Sequence, residues 1–197
     1  MLSSRLGHSL DPLALKVYRF FFRRVDVTPN VLTILGFIVA LGASFLIGLG
    51  LLLPSGIMLL LSGLFDVLDG VVARNTGRVT DFGGFLDSVL DRYSDLAVTL
   101  AVLLFFVHKD DFVFAVLAAI ASIGVAAIPY ARARAEAAGV QCKSGLLERP
   151  ERMILMILGL CFNLLRPAIL LLALFTHVTV VQRVLLVKRA MRTSGRV

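Results

Sequence analysis

The chain is apolar and basic. It has 197 residues, of which 58% are hydrophobic, and its mean hydropathy is +0.92, whereas soluble chains average about 45–50% apolar residues. This composition excludes a soluble globular domain. The formal net charge of +7 predicts attraction to anionic lipid and no nucleic-acid partner, because the Lys and Arg residues stand at the ends of apolar blocks with few aromatic residues beside them.

The chain starts with an amphipathic stretch at about residues 4–24. Leucine and phenylalanine recur there at helical spacing, with arginine and lysine between them. A helix of this kind lies in the plane of the membrane interface rather than crossing the bilayer. We therefore predict an N-terminal interfacial helix; the alternative is an ordinary charged leader.

Several apolar blocks after it reach the roughly 20 residues that a helix needs to cross a bilayer. We predict an all-α integral membrane protein with six transmembrane helices over about residues 30–192, in a single domain covering residues 1–197. The six helices are expected, in chain order, at about residues 30–52, 57–74, 82–107, 112–136, 148–164 and 168–192.

Local signals set the expected ends of these helices. Pro54, Ser55 and Gly56 predict the turn between the first two spans, and Asp81 is the expected N-cap of the third. Gly139 is a fitting stop for the fourth. Arg166 and Pro167 are expected to separate the fifth helix from the sixth.

The distribution of cationic residues predicts the topology. Lys109 and Arg166 are the only Lys or Arg residues that this layout places on the far side of the membrane. The positive-inside rule then puts both termini in the cytoplasm. We expect a multi-pass protein of the cell (plasma) membrane with its functional site on the cytoplasmic side.

Four aspartates in the second and third spans are the most informative feature: Asp66, Asp69, Asp87 and Asp91. Their i, i+3 and i, i+4 spacings put each pair on one helix face, beside very small residues. Ionisable groups inside apolar helices are costly and usually functional. The structural alternative, in which each pairs with an arginine, accounts for one or two of them at most.

The four carboxylates are expected to face one another, because a short loop makes the two helices antiparallel. Two like charges about 4 Å apart repel by about 4 kcal/mol at an effective dielectric constant of about 20. Either some of these groups are protonated, or divalent cations lie among them. Oxygen ligands suit Mg²⁺ or Mn²⁺, and carboxylates that bridge two such ions form a clamp for phosphoryl transfer.

The stretch from Asp66 to Asp91 resembles the signature of the CDP-alcohol phosphotransferase (CDP-alcohol phosphatidyltransferase) family, D-x2-D-G-x2-A-R-x8-G-x3-D-x3-D, at every fixed position. The resemblance implies a transferase of phospholipid biosynthesis that releases CMP from a CDP-lipid such as CDP-diacylglycerol. It also implies two divalent cations, Mg²⁺ or Mn²⁺, and a homodimer. It makes Asp66, Asp69, Asp87 and Asp91 metal ligands, with Asp91 also the catalytic base. The implied CDP-lipid-binding residues are Asp66, Asp69, Gly70, Ala73, Arg74 and Gly83.

The stretches at residues 129–136, 148–152 and 179–183 resemble the phosphatidylinositol-phosphate synthase branch of the family. The resemblance implies that Arg132, Arg149 and Arg183 bind the phosphate of inositol phosphate. Arg132 stands where that branch is expected to have lysine, and the two cations differ in geometry.

Other functions stay open at this point. Glycerol 3-phosphate also carries a phosphate, so a phosphatidylglycerol-phosphate synthase would need similar basic residues, and the lipid could be an archaeal diether. A divalent-cation transporter would also place carboxylates in a membrane, but along a path through it. A catalytically inactive scaffold is disfavoured by the intact signature.

Overall fold

The computed structural model describes residues 27–142 and 145–193, and the predicted interfacial helix at 4–24 lies outside them. The secondary structure of the described residues is α-helical, which confirms the all-α class. The helices are α1 (Pro29–Gly48), α2 (Leu52–Asn75), α3 (Asp81–His108), α4 (Phe112–Ala137), α5 (Arg149–Cys161) and α6 (Leu165–Thr193).

The first turn lies earlier than predicted. Helix α1 ends at Gly48, and Gly50 adopts a left-handed conformation with φ of 78°. Helix α2 then begins at Leu52, so Pro54 and Gly56 are helical. The prediction of a turn at Pro54–Gly56 was wrong, because a proline in the first turn of a helix sacrifices no internal hydrogen bond.

Two other helix ends also differ from the prediction. Asp81 is the first residue of α3, and Thr80 caps the helix instead by accepting a hydrogen bond from the Gly83 N–H at 3.0 Å. Helix α6 starts at Leu165 and includes Arg166 and Pro167 in its first turn. The break comes just before, at Asn163, where φ is 57°. Asparagine tolerates this left-handed conformation better than most residues.

Four helices are long and apolar enough to cross a membrane: α1, α2, α4 and α6. Helix α3 has 28 residues, but its N-terminal part, residues 81–95, carries the charged residues Asp81, Asp87, Asp91, Arg92 and Asp95. Helix α5 has 13 residues, a length of about 20 Å against a hydrocarbon core of about 30 Å. Four candidate spans are therefore found in the described residues, rather than the six predicted.

The described residues divide into two compact units, the first ending at Val98 and the second beginning at Thr99. In the first, α1 and α2 pack closely through small residues. The Ser62 hydroxyl donates to the Gly36 carbonyl oxygen at 2.9 Å, and a Cβ atom at Gly36 would lie 3.0 Å from that of Phe65. Close helix approach through small residues is typical of membrane proteins.

In the second unit, α6 packs against both α4 and α5. Gly124 of α4 lies so close to Thr176 of α6 that even a methyl side chain there would overlap it. Gly159 of α5 is similarly close to Ala168 of α6. These contacts fix α4, α5 and α6 as one packed group.

The outward faces of the candidate spans are apolar. On α1 the exposed large residues recur every three or four positions: Val31, Ile34, Ile38, Leu41 and Phe45. The buried face of the same helix carries mainly small residues, including Gly36, Ala40, Ala43 and Ser44. Large apolar side chains outside and small ones inside are expected where lipid is the solvent. The chain is therefore an integral membrane protein.

Candidate functional site

A cavity of about 330 Å³ opens in the first unit, among α1, α2, the loop after α2 and the start of α3. Its lining residues are Pro29, Asn30, Thr33, Asp69, Gly70, Ala73, Arg74, Arg78, Val79, Thr80, Gly83, Gly84 and Asp87. Six of the eight signature positions are in this set. The sequence spacing that put them on adjoining helix faces therefore corresponds to a real concave surface.

Asp69 is the most firmly held carboxylate of the cavity. It is 7% exposed, and the Thr33 hydroxyl of α1 donates to its Oδ2 atom at 2.6 Å. Thr33 Oγ1 also lies 3.1 Å from the Pro29 carbonyl oxygen of its own helix. Thr33 thus fixes the orientation of Asp69 from the neighbouring helix.

The glycines at the cavity allow neighbouring side chains to approach the helix backbone closely. A Cβ atom at Gly83 would lie 3.0 Å from Thr80 Oγ1 and 3.1 Å from Asn30 Oδ1. At Gly70, a Cβ would lie 3.1 Å from an Arg74 guanidinium nitrogen. Gly70 therefore allows the Arg74 side chain to fold back along its helix, next to the cavity.

The other two signature aspartates do not line the cavity. Asp66 is half-buried at the packed contact between α1 and α2, where a Cβ at Gly36 would lie 3.4 Å from Asp66 Oδ1. Asp91 is 8% exposed, and its Oδ2 atom lies 3.8 Å from an Arg92 guanidinium nitrogen. The structure thus brings Asp69 and Asp87 to one cavity, with Asp66 and Asp91 on the same two helices one turn away.

The donors of this region suit a hard divalent cation. They are carboxylate and hydroxyl oxygens, the class that Mg²⁺ and Mn²⁺ prefer, and Gly70 and Gly83 leave room beside them. Across residues 27–142 and 145–193, no three His, Cys, Asp or Glu side chains are grouped tightly enough to hold a metal. Carboxylates separate unless a cation offsets their repulsion, so the four-aspartate ligand set stays a prediction.

The second unit contains a buried arginine. Arg183 of α6 is 3% exposed, and its Nη1 donates to the Ile128 carbonyl oxygen at 2.6 Å. Its Nη2 lies 3.6 Å from Glu148 Oε1, while its buried Nε has no hydrogen-bond partner among the described residues. A charge this deeply buried requires an anion nearby.

The other predicted phosphate-binding arginines are in the same unit. Arg132 is exposed on α4 and donates to Glu136 Oε1 at 2.9 Å, one turn along the helix. It is close enough to Arg183 for their charges to interact. Arg149 is half-buried as the first residue of α5. Arg132 and Arg183 therefore belong to one basic region.

Sequence reasoning missed three side chains of these two sites. Thr33 and Asn30 were treated only as part of the first span, although Thr33 is a polar residue on the packed face of an apolar helix. Arg152 was not among the predicted site residues, yet it is 5% exposed and donates to the Leu147 carbonyl oxygen at 3.4 Å. The helical spacing of Thr33 from Pro29 and Gly36 is the signal that could have found it.

Comparison with known proteins agrees with the site. The model of the CDP-alcohol phosphatidyltransferase family matches residues 26–181, a range that includes the whole signature and both Arg132 and Arg149. The chain belongs to the CDP-alcohol phosphatidyltransferase family. This confirms the family that the stretch from Asp66 to Asp91 resembles.

Several relatives are similar over most of the chain. An archaetidylinositol phosphate synthase of Pyrococcus horikoshii is 38% identical over 161 residues, which cover 81% of this chain and 83% of the relative. A phosphatidylinositol phosphate synthase of Mycobacterium tuberculosis is 39% identical over 138 residues, covering 69% of this chain and 64% of the relative. Both relatives carry names of inositol-phosphate transferases.

Crystal structures of the M. tuberculosis phosphatidylinositol phosphate synthase share the fold. The structure with CDP-DAG bound has a TM-score of 0.79 and 34% identity, and the match covers 90% of this chain and 92% of that one. The complex with manganese and citrate has a TM-score of 0.80 and 34% identity, covering 89% and 87%.

Proposed function

We propose that this enzyme transfers the phosphatidyl group of CDP-diacylglycerol to inositol phosphate and releases CMP. The observation that carries the proposal is the cavity of the first unit, which is lined by six positions of the family signature. The names of the relatives and the buried Arg183 of the second unit support the choice of a phosphate-bearing acceptor.

The CDP end of the lipid is proposed to bind in this cavity. Gly70, Ala73 and Gly83 leave the wall free of large side chains, so a ligand can approach the helix backbones closely. Arg74 adds a cation at the rim, where it can pair with a phosphate. Asp66 and Asp69 are the remaining residues proposed for CDP-lipid binding.

Two divalent cations, Mg²⁺ or Mn²⁺, are proposed to be held by Asp66, Asp69, Asp87 and Asp91. The related M. tuberculosis enzyme was crystallised with manganese. When bound, such ions neutralise the charge that develops on the diphosphate as CMP leaves. The aspartates must converge to bind them, and Thr33 already restrains one of them, Asp69.

The reaction is proposed to be a direct displacement. An acceptor hydroxyl oxygen forms a bond to the lipid-side phosphorus, and the bond from that phosphorus to the oxygen of CMP breaks. Asp91 takes the proton of the hydroxyl, which makes the alcohol a competent nucleophile. The burial of Asp91 beside Arg92 keeps this carboxylate in a fixed place.

The acceptor phosphate is proposed to bind Arg132, Arg149 and Arg183. Guanidinium groups bind phosphate through two parallel hydrogen bonds. Arg183 supports this role best, since its buried Nε has no partner in the described part of the chain. Arg132 forms an exposed ion pair with Glu136. Exposed pairs of this kind are weak, so a phosphate can replace Glu136 as the partner of Arg132.

In the membrane we propose six spans, which adds α3 and α5 to the four apolar helices, with the interfacial helix at residues 4–24 before them. The Asp and Arg residues of α3 all lie within residues 81–95, consistent with a site near one membrane surface. Both termini and the site are proposed to face the cytoplasm, as the cationic residues favour. The protein is further proposed to be a homodimer of the plasma membrane, which cross-linking in native membranes would test.

The experiment is incubation of the purified enzyme with CDP-diacylglycerol, Mn²⁺ and one acceptor at a time, followed by mass spectrometry of the lipid product. Inositol phosphate, glycerol 3-phosphate and free inositol form the panel, and a second set uses a diether CDP-lipid because the P. horikoshii relative is named for archaetidyl transfer. A phosphatidylinositol phosphate product supports the proposal. A product with glycerol 3-phosphate alone, or with free inositol alone, overturns the choice of acceptor.

A further inference from the structure

The binding of an acceptor phosphate does not explain why the Glu148 carboxylate lies beside the Arg183 guanidinium. The buried guanidinium already has an anion beside it, because Glu148 Oε1 lies 3.6 Å from Arg183 Nη2. This distance is too long for a hydrogen bond. Glu148 therefore offsets the charge of Arg183 without using its donors.

Besides Arg183, Glu148 is near enough to Arg132 for their charges to interact. It stands at the N-cap of α5, yet its side chain makes no capping hydrogen bond. Its side chain is 20% exposed, against 3% for Arg183. A carboxylate at the mouth of the site can thus swing outward, whereas the guanidinium behind it cannot.

The segment that carries Glu148 is fixed to α6 one turn before the arginine. The Leu147 N–H donates to Thr179 Oγ1 at 3.1 Å. A Cβ at Gly145 would lie 2.9 Å from Thr179 Cγ2 and 3.3 Å from Arg183 Nη2. This close packing holds the backbone in place, so only the Glu148 side chain is free to exchange with another anion.

We infer that Glu148 is a displaceable counter-ion that determines which anions the pocket of Arg183 accepts. It neutralises the guanidinium until a phosphate binds, and the incoming anion must displace it. A monoester phosphate carries a charge of about −1.5 to −2 at pH 7 and can outcompete one carboxylate. A phosphodiester carries a single charge and cannot, so lipid headgroups of that class are excluded.

This inference rests on the proposed acceptor pocket, but its test does not require turnover. The thermal unfolding of the full chain in detergent is measured against increasing inorganic phosphate or dimethyl phosphate, without CDP-lipid or acceptor. The wild-type protein is expected to be stabilised by inorganic phosphate and hardly at all by dimethyl phosphate. Glu148→Gln is expected to bind both anions, with the phosphate midpoint lowered about tenfold, because one repulsive charge a few ångströms away is gone.

Matched variants test whether the change in anion binding depends on the Glu148–Arg183 pair. Asp111→Asn removes the carboxylate partner of Arg166 in the same unit, where the nitrogen–oxygen distance is 2.8 Å, and should leave both midpoints unchanged. In an Arg183→Ala background, Glu148→Gln should no longer strengthen anion binding. If Glu148→Gln does not fold, Glu148→Asp keeps the charge on a shorter side chain and should give a phosphate midpoint between the two.

The results that overturn the inference are distinct from those that overturn the proposed function. Unchanged phosphate binding in Glu148→Gln or Glu148→Asp, or a gain that persists without Arg183, rules out the counter-ion role even if lipid transfer is observed. An enzyme that shows the expected change in anion binding but transfers nothing to inositol phosphate keeps Glu148 as a counter-ion and loses the proposed acceptor.

Discussion

The acidic cavity of the first unit and the basic pocket of the second are built in opposite ways. The cavity takes its carboxylates from two consecutive helices, α2 and α3, at spacings that one helix face dictates. The pocket takes its cations from α4, α5 and α6, over more than 50 residues of sequence, as the contact of Arg183 with Ile128 illustrates.

Because of this difference, we expect substitutions at the two sites to have different effects. In the cavity, the Asp69 carboxylate is oriented by the Thr33 hydroxyl of the neighbouring helix. In the pocket, the central cation is backed by a backbone carbonyl and a distant carboxylate. We therefore expect substitutions in the cavity to affect the chemical step and metal binding, and those in the pocket to affect the acceptor alone.

The largest effect is expected for Asp91→Asn. Removing a general base costs about 10²- to 10⁴-fold in rate, while asparagine has the same shape and should preserve the packing. CMP release and thermal unfolding should be measured together. A variant that folds and keeps full activity would exclude Asp91 as the base.

Arg183→Ala should raise the acceptor KM by about 100-fold, since hydrogen bonds to charged groups contribute about 1.5–3 kcal/mol each. The KM for CDP-diacylglycerol should change little, because that substrate is proposed to bind the first unit. Steady-state kinetics with each substrate varied in turn provides the measurement. Equal changes in both KM values would argue against separate binding sites.

Thr33→Val should weaken the apparent Mn²⁺ affinity by about 10- to 100-fold, the usual cost of losing a group that orients a metal ligand. Thr33→Ser retains the hydroxyl and serves as the control. Both should be measured by Mn²⁺ titration of thermal stability as well as of CMP release. Identical titrations for the valine and serine variants would show that the hydrogen bond to Asp69 has no such role.

The smallest effect is expected for Gly83→Ala. Its new methyl group would lie 3.0–3.1 Å from Thr80 Oγ1 and Asn30 Oδ1, so the cavity wall must shift slightly and the KM for CDP-diacylglycerol should rise a few-fold. Gly48→Ala is the control outside the cavity, because a Cβ there meets nothing within 4 Å. If the two variants behave alike, Gly83 has no special place at the cavity.

Much of the cavity could be predicted from sequence because its residues are local. The periods of three and four residues between Asp66, Asp69 and Gly70, and between Gly83, Asp87 and Asp91, fix which side chains share a face. Thr33 depends instead on how α1 packs against α2, a contact between residues 36 positions apart. The spacing of Thr33 from Gly36 can place Thr33 on the packed face of α1, but it does not identify Asp69 as the partner.

The ends of two helices were also predicted wrongly from the sequence. Pro54 and Pro167 were expected in turns, but each lies in the first turn of a helix, and the actual turns contain Gly50 and Asn163 with positive φ. Proline is compatible with both settings. Only the conformation of the residues before it distinguishes them.

The most direct test of the account is to quantify CMP and phosphatidylinositol phosphate in one reaction with CDP-diacylglycerol and inositol phosphate, with Mn²⁺ and with a chelator. Equal amounts of the two products are expected with Mn²⁺, and neither product is expected with the chelator. CMP without the lipid product, or undiminished synthesis in the chelator, would contradict it.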